Sequence, residues 1–152
     1  MNLYLDTEFN GHGGELISLA LAALDGRHWY NVLPEPRVWN EWCFEHVFPH
    51  LNKPSVDRHF FRASLREYLM QREGATIYAD WPDDFAHLMR LMSGPDYENS
   101  WMVGCKLVLL RESDPKPETP HNALSDAIAL MEWHDVHKNG SRMKFARRGD
   151  II

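Results

Sequence analysis

Acidic side chains occur at three separated places in the chain, in an order that could assemble one cation site. Asp6 and Glu8 lie near the start, an aspartate-rich segment occupies residues 80–84, and His121 precedes Asp126 near the end. Carboxylate oxygens are the ligands that hard divalent cations such as Mg²⁺ prefer, and such cations are often held together with phosphates. The pattern therefore favours a site in which two divalent metal ions promote phosphodiester cleavage.

The spacing within the first two segments is compatible with one shared site. Asp6 and Glu8 are two residues apart on a predicted strand, so both carboxylates point to the same face of the sheet. Asp84 lies early in a predicted helix that directly follows a strand, near the edge where open α/β sheets usually bind ligands. Asp80 or Asp83 could supply this carboxylate instead.

The third segment can join this site only if its helix begins after the histidine. His121 and Asp126 are five residues apart, which is about 140° around an α-helix, so they would diverge if both were helical. The proline-rich stretch that ends at Pro120 favours a loop position for His121, with Asp126 in an early helical turn. An imidazole with a reference pKa of about 6.5 can accept a proton near neutral pH, as a general base must.

The elements that must position these residues are strands followed by alternating helices and strands. Short apolar runs between turn residues predict strands, and apolar residues three or four apart predict helices. This order predicts one α/β domain over residues 1–140, with a mixed sheet covered by helices, and a basic tail over residues 141–152. The predicted strands span residues 3–5, 16–24, 28–33, 75–79 and 101–110; the predicted helices span 38–48, 55–69, 83–92 and 123–138, with Ser55 and Pro82 at helix starts and Pro49, Gly74 and Gly140 at helix ends.

The composition limits the class of protein. A length of 152 residues with 44% hydrophobic and 25% charged residues is usual for one globular domain. The formal net charge of −6 argues against a protein that coats long nucleic acid through a broad basic face. Cys43 and Cys105 form neither a disulfide framework nor a C-x-x-C pair. With no signal-peptide pattern and no apolar run of about 18 residues, we expect a cytoplasmic protein without a membrane partner.

Three short motifs, taken in order, resemble those of the DEDDh (DnaQ-like) class of 3′-to-5′ exonucleases in the ribonuclease H-like superfamily. Residues 6–9 read D-T-E-F and look like the first motif. Residues 80–84 read D-W-P-D-D and look like the second, with Asp84 at its acidic position and Asp80 where many members have Asn. Residues 121–127 read H-N-A-L-S-D-A and match the form H-x-A-x-x-D-A of the third. The segments 15–18 and 46–51 look closest to the small exoribonuclease branch that includes ribonuclease AS.

This resemblance implies a ribonuclease H-like five-stranded sheet and a catalytic set of five residues. Asp6, Glu8 and Asp126 would hold one divalent ion beside the nucleophilic water, Asp6 and Asp84 would help to place a second, and His121 would be the general base. The expected ions are Mg²⁺ or Mn²⁺. The expected activity is release of nucleoside 5′-monophosphates from the 3′ end of single-stranded RNA.

Residues beside the first motif are candidates for substrate contacts. Phe9 could stack on a terminal base, as aromatic side chains do in single-strand recognition, or pack in the core. Thr7 and Asn10 could bond the sugar or the backbone of the substrate. Because related exonucleases are often dimers, we expect a homodimer contact through the helix with Trp39 and Trp42, or through the tail.

Two other functions stay open at this level. A 3′-to-5′ exonuclease of the same class could act on DNA, because no motif here marks a residue that senses the 2′-OH. A catalytically silent nucleic-acid-binding or protein-binding module is the other rival, because a fold alone does not secure a function. The glycines of residues 11–14 lack the remainder of a nucleotide-binding motif and are interpreted as turn glycines. His134 and His137 are interpreted as exposed helix residues rather than a zinc pair.

Overall fold

The computed structural model describes residues 1–94 and 100–146, with side chains described up to Lys138. These ranges form an α/β fold in which helices flank a five-stranded mixed sheet, as predicted, and the architecture is compatible with a ribonuclease H-like fold. None of the described helices has the length and apolar character that crossing a membrane requires. The elements are β1 (Asn2–Phe9), β2 (Leu16–Ala22), β3 (His28–Val32), α1 (Glu41–His46), a 3₁₀ helix (Phe48–His50), α2 (Arg58–Met70), β4 (Thr76–Ala79), α3 (Pro82–Ser93), β5 (Lys106–Leu109) and α4 (Ala123–Ala146).

The sheet has the strand order β3-β2-β1-β4-β5, with β1 at its centre. The first three strands form an antiparallel meander, whereas β4 is parallel to both β1 and β5. Asp6 of β1 pairs with Ala20 of β2, Glu8 pairs with Ser18, and the register shifts between Glu8 and Phe9. The parallel register pairs Tyr4 with Tyr78, so β4 ends one residue later, at Ala79, beside the part of β1 that leads to Asp6.

Different helices cover the two faces of the sheet. Leu5 of β1 belongs to a buried cluster with Phe61 of α2 and Leu88 of α3. On the opposite face, Ala20 of β2 is buried in a second cluster with Ala127 of α4. Because successive strand residues point to opposite faces, the even-numbered residues of β1 lie on the α4 face. Both acidic residues of β1 are among them.

The starts of α3 and α4 follow from local sequence. Pro82 occupies the first turn of α3, where a missing backbone N–H leaves no hydrogen bond unmade. Asn122 precedes α4, and its side-chain oxygen accepts the backbone N–H of the third helical residue at 3.1 Å. His121 therefore lies before the helix, as predicted, and both helices have an aspartate in their first turn.

Helix α1 is shorter than its apolar spacing predicted. It covers Glu41–His46 instead of residues 38–48, because Asn40 caps it and accepts the backbone N–H of Cys43 at 3.3 Å. Pro49 does not end α1 but lies inside the 3₁₀ helix that follows. Trp39 and Phe48 lie outside α1 and contact each other edge-to-face, with ring centroids 5.4 Å apart.

The predicted ends of α2 were also wrong by a few residues. Asp57, not Ser55, is the N-cap, and its side chain accepts the backbone N–H of Phe60 at 2.9 Å. The helix ends at Met70, and Gly74 lies in the turn beyond it with φ +80°. A carboxylate is as good a cap as a hydroxyl, so the sequence offered two acceptable starts.

Strand β5 covers Lys106–Leu109 rather than residues 101–110. Trp101 and Val103 are apolar because they are buried in the cluster beneath α2 and α3, not because they belong to a strand. A short apolar run does not by itself distinguish a strand from a buried connection.

Helix α4 does not end at Gly140 but continues to Ala146. A glycine inside a helix costs about 1 kcal/mol relative to alanine, which a long helix tolerates. The division into a domain over residues 1–140 and a tail over residues 141–152 stays a prediction, and residues 147–152 lie outside the described residues.

Candidate metal centre

Two overlapping groups of carboxylates lie at the carboxyl end of β1. One ligand oxygen from each of Asp6, Glu8 and Asp126 lies within 4.8 Å of the others. The same limit holds for one oxygen from each of Asp6, Asp80 and Asp84. The structure thus brings the four predicted carboxylates together and adds Asp80, with Asp6 common to both groups.

Strand pairing and helix starts deliver these side chains to one place. Asp6 and Glu8 point to the α4 face of β1, towards the first turn of α4, which carries Asp126. Asp80 directly follows β4, and Asp84 lies in the first turn of α3. The parallel pairing of β4 with β1 brings this second pair to the same sheet edge.

The three aspartates of the second segment have different surroundings. Asp84 is buried, whereas Asp80 is half-buried and its Oδ2 accepts the hydroxyl of Ser113 at 3.0 Å. Asp83 is outside both carboxylate groups, and its Oδ2 accepts the indole Nε1–H of Trp81 at 3.3 Å. Of the alternatives left open by the sequence, Asp84 and Asp80 therefore lie at the centre and Asp83 lies on its rim.

Asp84 is held by one of its oxygens and leaves the other unsatisfied. Its Oδ1 accepts the backbone N–H of Thr7 at 3.1 Å and the Thr7 hydroxyl at 2.6 Å. Its Oδ2 is buried and has no hydrogen-bond partner within the described part of the chain. A buried oxygen without a donor is costly, so a further partner is expected at this position.

Electrostatic repulsion and burial disfavour the charged forms of these carboxylates. Burial raises the pKa of Asp6 well above its usual range, and the charges of Asp84, Glu8 and Asp126 raise it further. Burial also raises the pKa of Glu8 to about 8 and that of Asp126 to about 6. For Asp84 burial raises the pKa to about 7, although the hydrogen bonds from Thr7 oppose the shift.

The donor set fits a pair of divalent cations. The two groups contain carboxylates throughout, share Asp6, and include the unsatisfied oxygen of Asp84. A cation in each group would supply both the missing partner and the missing positive charge. Asp6, Glu8 and Asp126 could hold one ion, while Asp6, Asp80 and Asp84 could hold the other.

His121 belongs to neither carboxylate group, and its ring contacts α1 instead. The imidazole lies edge-to-face with the indole of Trp42, with ring centroids 4.9 Å apart and planes at 82°. The ring of His46 stacks on the indole of Trp42, with ring centroids 4.7 Å apart. Burial lowers the pKa of His121, and the neighbouring His46 and His50 lower it further. The neutral form, which can accept a proton, is therefore favoured at neutral pH.

The backbone at His121 is fixed by its neighbour. His121 has φ +64°, which is uncommon for a residue other than glycine. Asn122 is buried, and its amide donates to the carbonyl of His50 at 2.6 Å and to the Tyr30 hydroxyl at 3.3 Å. These bonds connect the start of α4 to the segment after α1.

The side chains of Thr7 and Asn10 already have partners inside the protein. Thr7 is buried and bonds Asp84, so it positions a carboxylate. Asn10 donates to the carbonyl of Val38 and accepts the backbone N–H of Asn40, both at 2.7 Å, and so anchors the start of α1. A direct substrate contact by either residue stays a prediction.

Phe9 is half-buried on the α2 and α3 face of the sheet. Its ring lies 5.0 Å from that of His87 in α3, at 33° between planes. The contact with His87 agrees with the prediction that Phe9 packs in the core. Because Phe9 is only half-buried, its ring could also stack on a terminal base. That role also stays a prediction.

Sequence reasoning did not assign Trp42 and Asn122 to the site. Trp42 was interpreted as part of an apolar helix face, and only the packing of α1 against the start of α4 reveals its contact with His121. Asn122 gave a usable signal, because an asparagine immediately before a helix is a strong cap candidate.

The two histidines of α4 differ from each other. His134 is half-buried, and its Nδ1 lies 2.9 Å from the Tyr4 hydroxyl, so the expectation of an exposed residue was wrong for it. His137 is exposed and stacks on Trp133 at 4.2 Å. Neither belongs to the ligand groups found among the described residues.

Comparison with known proteins gives partial matches to two curated relatives. Both are proteins of Mycobacterium tuberculosis, one from strain CDC 1551 / Oshkosh and one from strain ATCC 25618 / H37Rv, and each is named a 3′-5′ exoribonuclease. Each is 39% identical over 77 residues, which cover 45% of this chain and 46% of the relative. The chain thus spans about half the length of the curated relatives it matches. No protein-family model matches the chain.

Proposed function

We propose that this protein is a metal-dependent 3′-to-5′ exoribonuclease of the DEDDh class. The observation that carries the proposal is the pair of carboxylate groups that share Asp6 at one sheet edge. The names of the two mycobacterial relatives support the polarity and the RNA substrate. The order of the three motifs, with H-x-A-x-x-D-A at residues 121–127, supports the class and its small exoribonuclease branch.

In this proposal the carboxylates bind and position the reacting groups. When bound, a pair of divalent cations, Mg²⁺ or Mn²⁺, activates a water molecule and stabilises the leaving 3′ oxygen. Asp6, Glu8 and Asp126 hold one cation, and Asp6, Asp80 and Asp84 hold the other. Thr7 orients Asp84 through two hydrogen bonds and so contributes to the placement of this ligand.

His121 is the proposed general base. It takes a proton from the attacking water as the water oxygen bonds to the terminal phosphorus and the bond to the 3′ oxygen breaks, which releases a nucleoside 5′-monophosphate. General base catalysis requires a neutral imidazole at working pH, and the lowered pKa of His121 meets this requirement. Trp42 fixes the ring orientation through its edge-to-face contact.

A dimer through α1 is part of the proposal. Phe44 and Phe48 are 50% and 37% exposed and stack on each other at 5.5 Å, and Trp42 is 49% exposed on another side of α1. Exposed clusters of large apolar side chains mark interaction surfaces more often than isolated ones do. A second copy of this chain would bury these rings beside the His121 contact.

The test is hydrolysis of a 5′-labelled single-stranded RNA with Mg²⁺ or Mn²⁺. We expect stepwise shortening from the 3′ end, nucleoside 5′-monophosphate as the product, and no reaction in EDTA. DNA of the same sequence in a parallel reaction measures the preference for ribose. Activity that persists in EDTA, or products shortened from the 5′ end, would contradict the proposal.

A further inference from the structure

The described part of the molecule contains an arginine-lined cleft of about 770 Å³. It separates the glycine turn that follows β1 from the helices α2 and α3. Arg58 and Arg62 of α2 and Arg90 of α3 line it, and Glu15 is the acidic residue among the described lining residues. Three guanidinium groups against one carboxylate make this cleft locally basic in a chain with a net charge of −6.

The backbone leaves room for Arg62 at the end of α3. Its Nε donates to the carbonyl of Leu91 at 2.8 Å. Gly94, with φ +72°, lies against the guanidinium, and a Cβ atom at this position would come 2.7 Å from an Arg62 nitrogen. The cleft wall is therefore built around an arginine whose position the α3 backbone sets.

The other two arginines are available to an external anion. Arg58 and Arg90 are exposed, and neither forms an ion pair with a carboxylate within residues 1–94 and 100–138. Arg58 is four residues before Arg62, so both lie on the same side of α2. A guanidinium without a carboxylate partner matches the fork geometry of a phosphate.

Helix α3 contributes residues both to the cleft and to the carboxylate centre. Asp84 and Arg90 are six residues apart on this helix, which corresponds to about 9 Å along its axis. Between them, His87 lines the cleft and stacks on Phe9, the residue that follows Glu8. An extended strand whose terminal phosphate lies at the carboxylates could therefore reach the arginines with its next phosphates.

The opposite wall begins at two glycines and continues through Glu15 and Leu16. Gly13 and Gly14 line the cleft, and a Cβ atom at Gly14 would come 2.1 Å from the carbonyl oxygen of Asn10. Gly14 is therefore required by the turn itself, and Gly13 and Gly14 leave this part of the wall without side chains. Repeated positive charge on the α2 and α3 wall suits a polymer with regularly spaced phosphates.

We propose that this cleft binds the backbone phosphates of single-stranded RNA on the 5′ side of the scissile bond, with Arg58 and Arg90 as phosphate ligands. The inference rests on the proposed function and adds a substrate subsite to it. The contacts are to phosphates, so the cleft sets affinity and strand path and does not read the bases.

The first test measures binding without turnover. A fluorescent ten-nucleotide RNA is titrated in EDTA, over salt from about 50 mM to about 200 mM. Each lost phosphate contact reduces the slope of log K against log salt by about 0.7 for a single strand, so Arg58→Gln with Arg90→Gln should reduce it by about 1.4. Over this fourfold salt range the affinity of the double variant should then change about sevenfold less than that of the wild type.

Lys106→Gln is the matched control for the loss of one positive charge. Lys106 is exposed on β5 and pairs with Thr76, at the end of the sheet opposite the carboxylates. It should keep the wild-type slope, whereas Arg90→Gln alone should lose about 0.7. Equal slopes for all variants would overturn the inference. Displacement of the RNA by poly-glutamate at an equal charge concentration would overturn it too, because the cleft would then be a general anion site.

The second test separates this subsite from the catalytic proposal. A dinucleoside monophosphate has only the scissile phosphate, so the double variant should hydrolyse it at the wild-type rate while its KM for the ten-nucleotide RNA rises. Equal losses on both substrates would contradict the subsite and leave the exonuclease standing. A wild-type protein that hydrolyses neither substrate would instead remove the proposed function. Arg58→Lys with Arg90→Lys should restore most of the binding, and a matching thermal transition excludes unfolding.

Discussion

Asp6 is the residue on which both carboxylate groups depend. Its oxygens lie within 4.8 Å of ligand oxygens from two sets of neighbours, so its charge would serve both cations, while burial and the neighbouring carboxylates oppose that charge in the metal-free protein. Asp6 is therefore needed for the proposed activity, and its charge destabilises the metal-free folded protein.

Asp6→Asn should abolish turnover and stabilise the metal-free protein at pH 8. The amide keeps the size of the side chain but removes one charge from a repelling group, so the melting temperature in EDTA should rise. Asp114→Asn, in an exposed loop where Asp114 pairs with Lys116, is the control and should change neither property. Full activity of Asp6→Asn would rule out the shared-ligand assignment.

His121→Ala should lower kcat by about 10²- to 10⁴-fold, the usual contribution of a general base, with little effect on metal affinity. The reason is that the imidazole belongs to neither carboxylate group. Single-turnover hydrolysis measures the rate, and calorimetric titration with Mn²⁺ measures the affinity. A variant that binds Mn²⁺ much more weakly, or turns over normally, would argue against the assigned role.

The stability of the metal-free protein should fall as pH rises from about 4.5 towards the raised pKa of Glu8, about 8. In this interval the folded state holds protons that the unfolded state has released, so the free energy of unfolding decreases with pH. Denaturant titrations in EDTA at several pH values measure this dependence. Glu8→Gln should flatten it, and an equally steep fall in that variant would show that other groups are responsible.

At the residue scale, the sequence predicted the carboxylates because strand periodicity is a local property. Asp6 and Glu8 had to share a face whatever the rest of the fold did. The contact between His121 and Trp42 is different, since it joins residues about eighty positions apart and depends on how α1 packs against the start of α4. No local pattern contains that information.

Among the described α-helices, α1 is the shortest, and its Trp42 contacts His121. It has six residues, and the side-chain oxygens of Asn10 and Asn40 accept backbone N–H groups at its start. Its one turn and a half could not be stable alone, because isolated short helices are marginal in water. Its orientation therefore depends on the turn after β1.

Trp42→Ala should lower kcat more than it raises KM, because the indole orients His121 and contacts neither carboxylate group. Steady-state kinetics on short RNA, where substrate contacts are few, gives the cleanest comparison. Trp133→Ala is the matched control, since Trp133 stacks on His137 of α4 instead. A purely structural role for Trp42 would give equal losses in the two variants, and Trp42→Phe should recover part of the rate.

Element boundaries were less predictable than element types. The five strands and the helices that flank them follow from apolar patterns, but the starts of α1 and α2 depend on which of several polar residues becomes the cap. Residues 101–105 read as strand because burial, rather than strand pairing, determines their apolar character. The spacing of apolar residues does not show which polar residue caps a helix. It also does not show which apolar segment is buried by tertiary packing instead of strand pairing.

For the molecule as a whole, cation binding and folding should be linked. A cation that binds only the folded state stabilises it by about 2.7 kcal/mol when present at a hundredfold excess over its Kd. Thermal unfolding with increasing Mn²⁺ should therefore shift to higher temperature in the wild type. The shift should be absent in Asp6→Asn, and an equal shift in both would place the stabilising cation elsewhere.

The proposed dimer predicts a solution mass of about twice the 17.8 kDa of the chain. Light scattering coupled to size exclusion measures it. Phe44→Glu should give the monomer, because a buried unpaired carboxylate in an aromatic contact is costly. A wild-type monomer at the concentration used for activity would remove this part of the proposal.

Asp126 is the ligand of the centre that lies furthest along the sequence, in the first turn of α4. Until α4 has been synthesised and has docked on the sheet, one carboxylate group is incomplete and His121 has no defined position. A nascent chain on the ribosome would therefore not hydrolyse the ribosomal or messenger RNA around it. On the proposed function, the protein would become an active nuclease only after α4 had been translated and had docked on the sheet.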